Sequence, residues 1–142
     1  MKTLAMEISS PAGSIAVADE GRIVAERRFA CERGRGAEVF AALADTRESW
    51  RDAAVVALGI GPGSYNGLRA ACAIANSLQM AGGFEVRVSP SPCLLPTEEA
   101  HFFVCGDARG GRAYCAEVQS TVVRSQRSPR CPFARRALIQ SC

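Results

Sequence analysis

The sequence predicts an α/β domain in which three hairpin-linked strands are followed by helices that alternate with buried strands. The first part of the chain holds three short apolar segments separated by tight turns. After residue 36, two segments of helical period enclose one continuous apolar run. The chain has 142 residues, of which 48% are hydrophobic and 22% are charged, so it can bury a substantial core. The expected architecture is a mixed five-stranded sheet with helices packed on it.

The first three strands are predicted from apolar patterning and from turn residues. Residues 4–9 (LAMEIS), 14–18 (SIAVA) and 22–29 (RIVAERRF) each have strand character. A Ser-Ser-Pro-Ala-Gly turn lies between the first two strands, and an Asp-Glu-Gly turn lies between the second and the third. Because the turns are so short, the three strands are expected to form an antiparallel meander.

The rest of this domain alternates helix and strand. Residues 37–47 and 67–79 are predicted helices, and the run AAVVALGI at 53–60 is typical of a strand buried on both faces. Residues 84–88 are the predicted fifth strand. The order βββαβαβ is expected to form a first domain of residues 1–88.

The remaining residues are predicted to be less regular. Three prolines between residues 90 and 96 indicate a linker, assigned to residues 89–100. Residues 101–118 contain two strand-like runs joined by a glycine-rich turn, the expected first hairpin of a truncated second domain. Residues 119–142 show no period and are expected to form an irregular basic tail.

Charge and composition exclude several classes of protein. The tail holds five arginines and no acid, whereas residues 1–118 carry 12 basic and 14 acidic side chains, so the body is not a basic nucleic-acid binder. Seven irregularly spaced cysteines without a CxxC pair indicate reduced thiols, and a single histidine, His101, excludes a two-histidine metal site. No apolar run is long enough to span a membrane and no leader opens the chain, so a cytoplasmic location is expected.

The loop at residues 61–69 (GPGSYNGLR) joins a predicted buried strand to a predicted helix. Glycines there allow close backbone approach, and free N–H groups at a helix start attract anions. A phosphate-cradling loop and a tight turn that binds nothing both fit, because the Lys-Ser/Thr pair of a P-loop is absent. The candidate phosphate or nucleotide residues are Gly61, Gly63, Ser64, Asn66, Gly67 and Arg69.

The segment GPGSYNGLRAACAIANSLQ resembles the signature of the TsaB (YeaZ) family. LAMEIS, SIAVADEGRIVAE and GDARGGRAYCAEV resemble other segments of that family in the same order, so the similarity covers residues 1–118. The resemblance implies an actin-like (ribonuclease-H-like) fold with a remnant of a second such domain. It also implies a non-catalytic subunit without cofactor or metal. Such a subunit supports threonylcarbamoyl transfer to adenosine of tRNA by binding a catalytic TsaD-like subunit, and meets tRNA only indirectly.

The sequence departs from the family pattern in two places. Glu7 and Ile8 stand where the family has Asp-Thr, and Glu7 either holds a metal or phosphate group or simply faces solvent. The second domain stops after one hairpin, and the tail resembles nothing in the family. Two alternatives therefore stay open: a small phosphate-binding hydrolase or phosphotransferase that uses the Gly61–Gly67 loop, and a degenerate paralogue without function.

The helix at residues 67–79 is apolar on two faces, which predicts burial on two sides. One stripe includes Leu68, Ala71 and Ala75, and a second stripe consists mostly of small residues. Small residues allow another protein's helix to approach closely. A partner interface is therefore expected, filled by a second copy in a homodimer or by the catalytic subunit. Its predicted residues are Phe40, Leu43, Ala70, Ala73, Ile74 and Ser77.

Overall fold

The computed structural model describes residues 1–31, 36–95, 97–109, 111–119 and 122–128. The chain divides into two compact units, Met1–Ser91 (unit 1) and Pro92–Cys142 (unit 2). The division lies three residues beyond the end predicted for the first domain. Each unit has its own sheet, with five strands in unit 1 and three in unit 2.

Unit 1 is built on a mixed sheet whose strand order is β3-β2-β1-β4-β5. Its first three strands pair antiparallel and follow one another through tight turns, whereas β4 pairs parallel with both β1 and β5. The predicted meander and the predicted mixed five-stranded sheet are therefore confirmed. The strands are β1 (Thr3–Glu7), β2 (Ala12–Asp19), β3 (Arg22–Ala30), β4 (Val55–Gly59) and β5 (Glu85–Ser89).

The helices of unit 1 are α1 (Ala37–Asp45), α2 (Arg47–Trp50) and α3 (Tyr65–Gly82). The single helix predicted at residues 37–47 is broken at Thr46, whose buried hydroxyl donates to the carbonyl of Ala42 at 2.8 Å. That hydroxyl-to-backbone bond competes with continuation of the helix. The predicted second helix is confirmed and is longer than expected at both ends.

The core of unit 1 forms where α1 and α3 meet the sheet. Leu4, Ile15 and Val56 are fully buried, each on a different strand of the sheet. Alternation along β1 and β2 sends every second side chain inward, whereas β4 is buried almost throughout, as the run of apolar residues predicts. The same core cluster includes Val39, Ala42, Leu43, Ala71, Ile74, Ala75 and Phe84.

Unit 2 contains a three-stranded antiparallel sheet in the order β6-β7-β8. Its strands are β6 (His101–Arg109), β7 (Arg112–Gln119) and β8 (Val122–Ser128). The first two strands form the predicted hairpin. The tail predicted to be irregular is instead a strand over 122–128, because pairing with β7 supplies the hydrogen bonds that its polar sequence did not suggest. Residues 120, 121 and 129–142 of that tail lie outside the described residues.

Among the helices that the structure describes, none combines the length and apolarity needed to cross a membrane.

Candidate functional site

The Gly61–Arg69 loop follows β4 and turns the chain into α3. Gly61 has a φ of +82° and is joined to Pro62 by a cis peptide bond. Ser64 is the N-cap residue of α3, and its Oγ accepts a hydrogen bond of 3.3 Å from the backbone N–H of Gly67. Serine is a preferred N-cap residue, so this bond satisfies one of the N–H groups that the first turn of α3 leaves without a partner in the helix.

Three backbone N–H groups of this loop bond to partners inside unit 1. The Gly61 N–H donates to Oγ of Ser91 at 2.8 Å, and the Ser64 N–H donates to the carbonyl oxygen of Ser9 at 2.6 Å. The Gly67 N–H is occupied by the Ser64 cap. A phosphate cradle needs N–H groups that point at the ligand. In this conformation the three N–H groups hold the loop against its neighbours instead.

Two glycines of the loop are required by close backbone contact with the end of β1. A Cβ added at Gly63 would collide with the carbonyl oxygen of Ser9, and one added at Gly67 would collide with the carbonyl oxygen of Ile8. Neither atom is the flexible end of a side chain, so any larger residue would have to displace the backbone. These glycines therefore let α3 begin directly against β1.

Ser91 is a structural partner of the loop that the sequence did not reveal. Its N–H donates to the Gly61 carbonyl at 2.9 Å, while its hydroxyl accepts from the Gly61 N–H. The Ser9 hydroxyl donates to the Ser91 hydroxyl at 3.1 Å. Ser91 thus ties the loop after β4 to the segments after β1 and β5. These partners are 30 and 82 positions away in sequence, so no local pattern could have identified them.

Glu7 lies at the end of β1 and turns back into the protein. Its Oε1 accepts the Ser9 N–H at 2.7 Å, and its Oε2 is buried without a hydrogen-bond partner in the structure. The absent side chain of Gly59 leaves the space that Oε2 occupies. The interpretation in which Glu7 simply faces solvent is therefore wrong for its Oε2 atom. Among the described residues, no group of three or more His, Cys, Asp or Glu side chains is arranged to hold a metal ion.

Cys31 lies close enough to Glu7 and Glu38 for their charges to act on its thiol. Burial is the main cause that raises the pKa of the Cys31 thiol, and the negative charges of Glu38 and Glu7 raise it further. The backbone of Gly13 acts in the opposite direction and lowers it. The thiol therefore stays protonated at neutral pH and packs against the core as a small apolar group.

The predicted partner interface is only partly exposed. Ile74 and Leu43 are 7% and 8% exposed and belong to the core of unit 1, so assigning them to an interface was wrong. Ala73 and Ser77 are exposed, Ala70 is half-buried, and Phe40 is 60% exposed on α1. Ile74 lies one helical position from Ala73, about 100° around the helix axis, and this step carries it to the sheet side.

The exposed face of α3 forms a separate surface. Tyr65 and Met80 are 72% and 89% exposed, and the Arg69 guanidinium lies 5.5 Å from the centre of the Tyr65 ring. An open groove of about 720 Å³ lies along this face. We call this face the α3 surface; it comprises Tyr65, Asn66, Arg69, Ala70, Cys72, Ala73, Asn76, Ser77 and Met80. Asn66 and Arg69, predicted as phosphate-loop residues, line this groove.

Two proteins of known structure are similar to this chain. One is YeaZ from Pseudomonas aeruginosa, with a TM-score of 0.71 and 22% identity over 94% of this chain and 72% of that one. The other is described as an uncharacterized protein with similarity to peptidase YEAZ from Pseudomonas aeruginosa. It has a TM-score of 0.68 and 24% identity, over 89% of this chain and 64% of the other. No protein-family model matches the sequence, and the curated proteins include no significant match.

These similarities confirm two expectations. The chain has the actin-like fold that the sequence predicted. The resemblance to YeaZ noted in the GPGSYNGLR segment is confirmed as a similarity of fold.

Proposed function

We propose that this protein is a TsaB-like interaction subunit that supports threonylcarbamoyl transfer to adenosine of tRNA. In this role it is not the catalyst, and it binds a TsaD-like catalytic subunit through the α3 surface. It acts on tRNA only through that subunit, in the cytoplasm. The similarity of fold to YeaZ and the matching order of sequence segments support the proposal.

The observation that carries the proposal is the contrast between the two faces of α3. The inner face, with Ala71, Ile74 and Ala75, is packed in the core. The outer face exposes an aromatic ring, a methionine and small side chains around one arginine. Aromatic residues, Met and Arg are the residues enriched at protein–protein interfaces. Small residues such as Ala73 allow a facing helix to approach closely.

The hydrogen bonds of the Gly61–Gly67 loop support a structural role for the loop, in which it positions α3. Its N–H groups at Gly61, Ser64 and Gly67 are bonded within unit 1, and Gly63 and Gly67 are fixed by contact with the segment that follows β1. The loop thereby sets where α3 begins and how its outer face is presented. This arrangement favours the interaction subunit over the phosphotransferase alternative.

The test is association with the catalytic subunit, measured by calorimetry and by pull-down. Ala73→Glu places a carboxylate in the groove and is expected to weaken binding at least about ten-fold, because burying an unpaired charge is costly. Ala54→Glu makes the same change at an exposed alanine outside the α3 surface and should leave affinity unchanged. In a reconstituted tRNA modification assay, Ala73→Glu should reduce product formation in parallel.

The same variant tests self-association. In isolation the chain is expected to form a dimer by light scattering, and Ala73→Glu should yield the monomer. Undiminished binding of the catalytic subunit by Ala73→Glu, or no binding by the wild-type chain, would contradict the proposal. Micromolar ATP binding that is abolished by Gly63→Val would favour the phosphotransferase instead.

A further inference from the structure

Two cysteines lie directly opposite each other on neighbouring strands of unit 2. Cys105 on β6 is the register partner of Cys115 on β7, and their Sγ atoms are 3.2 Å apart. Directly opposed residues of an antiparallel pair have Cα atoms about 4.5–5.5 Å apart, within the range of about 4.4–6.8 Å that disulfides span. The backbone therefore already places the two thiols within reach of a covalent bond.

The register that opposes the cysteines is fixed from the other face of the hairpin. Gly106 lies opposite Tyr114, and the Tyr114 ring occupies the space that a side chain at position 106 would need. Ala116 and Val118 are buried on that same face. Because a shift by one residue would turn these buried side chains outward, the pairing of Cys105 with Cys115 is strongly specified.

The cysteine face of the hairpin is open to small solutes. Cys105 and Cys115 are half-buried, and alternation places them on the same face as Phe103, which is 47% exposed. His101 and Glu117 pair on this face through an Nε2–Oε1 contact of 2.9 Å. This partial exposure favours access of a small hydroperoxide to the cysteine pair.

We propose that Cys105 and Cys115 form a thiol oxidation site that a hydroperoxide converts into a cross-strand disulfide. The first thiol attacks the peroxide, becomes a sulfenic acid and releases water or an alcohol as the O–O bond breaks. The second thiol then attacks the sulfenic sulfur, the S–S bond forms, and the hydroxyl leaves as water with the second thiol proton. The two sulfurs lose two electrons in total, and the peroxide gains them.

The disulfide is expected to be readily reversible. Opposed residues in a sheet have Cβ atoms about 4.5–5.5 Å apart, whereas a relaxed disulfide holds them at about 3.5–4.5 Å. The bond would therefore pull the two strands together at one point. Strained and accessible disulfides are the ones that thiols reduce most easily.

Peptide mapping of the full-length chain tests the site directly. The protein is treated briefly with hydrogen peroxide, its remaining thiols are alkylated, and it is digested without reductant. Cleavage after Arg109 and Arg112 cuts the hairpin loop, and cleavage after Glu99 separates Cys105 from Cys93. The expected product is a pair of peptides joined only through Cys105 and Cys115, two hydrogens lighter than the separate peptides and released by dithiothreitol.

Two variants provide controls. Cys72→Ser removes an exposed thiol on α3 and should leave the linked pair unchanged, whereas Cys105→Ser should abolish it. In the wild-type chain the pair should end mainly as the disulfide, whereas Cys72 should end mainly as a sulfenic or sulfinic acid, since only the pair has an intramolecular second step. Separate oxidation of Cys105 and Cys115 without linkage, or linkage of Cys115 mainly to Cys93, would overturn the proposal.

Discussion

Unit 1 and unit 2 both contain a β-sheet, but they differ in how much apolar surface their side chains bury. Among the residues whose side chains the structure describes, the buried apolar residues of unit 2 are Pro92, Ala116 and Val118, and all the others lie in unit 1. Unit 1 packs α1 and α3 against its sheet, whereas the described strands of unit 2 are joined mainly by backbone pairing. Burial of apolar surface is the dominant favourable term in folding, so the two units resist perturbation differently.

The difference shows how each unit can support its own site. In unit 1, the core that anchors the inner face of α3 also holds the Gly61–Gly67 loop, so the outer face is presented on a rigid helix. In unit 2, the opposed cysteines are placed by strand register. We therefore expect changes in the core of unit 1 to affect the whole unit, and changes in unit 2 to act locally.

The largest effect is expected from a charge in the core of unit 1. Ile74→Glu should destabilise unit 1 by at least about 3 kcal/mol, because the carboxylate would be buried without a partner. Ala73→Glu introduces the same charge one position away, on the exposed face, and should cost less than about 1 kcal/mol. Urea unfolding followed by Trp50 fluorescence reports on unit 1, since Trp50 packs against its core. Equal losses in the two variants would contradict the division of α3 into inner and outer faces.

The same pair of residues shows where prediction from sequence ends. Helical period identified α3 and its two apolar stripes, and the buried run at 53–60 identified β4. The choice between Ala73 and Ile74 as the exposed residue depends on the rotation of the helix about its axis. Packing against the sheet sets that rotation, and the apolar pattern alone allowed either face to be inward.

Long-range hydrogen bonds were the second feature that local sequence patterns could not predict. Ser64 could be predicted as a cap because its partner, Gly67, is three residues away. Ser91 could not, because its bonds to Gly61 and Ser9 arise only when β1, β4 and β5 are side by side. Strand β8 likewise depends on its partner β7, since its own sequence is mostly polar.

An intermediate loss of stability is expected from a substitution in the Gly61–Gly67 loop, which precedes α3. Gly67→Ala should destabilise unit 1 by about 1–3 kcal/mol, because the added methyl group would collide with the Ile8 carbonyl oxygen and force the backbone to move. Gly36→Ala provides the control, since a Cβ at Gly36 meets nothing within 4 Å and its φ of −86° suits alanine. That variant should change stability by less than about 0.5 kcal/mol. Thermal melts of both proteins measure the difference, and a Gly67→Ala protein as stable as wild type would show that β1 does not restrain the loop.

The smallest effect is the difference in stability cost between the same valine-to-alanine change in the two units. Val56 is fully buried in the core cluster of unit 1, while Val118 is 2% exposed in the smaller sheet of unit 2. Val56→Ala should cost about 2–3 kcal/mol and Val118→Ala about 1 kcal/mol less, because the sparser packing around Val118 can collapse more readily around the lost methyl groups. Native-state hydrogen exchange separates the two: Val56→Ala should speed exchange throughout the amides of β1 and β4, whereas Val118→Ala should speed it only in β6 and β7. If Val118→Ala accelerated exchange in β1 and β4 as strongly as Val56→Ala does, the two units would unfold as one cooperative body.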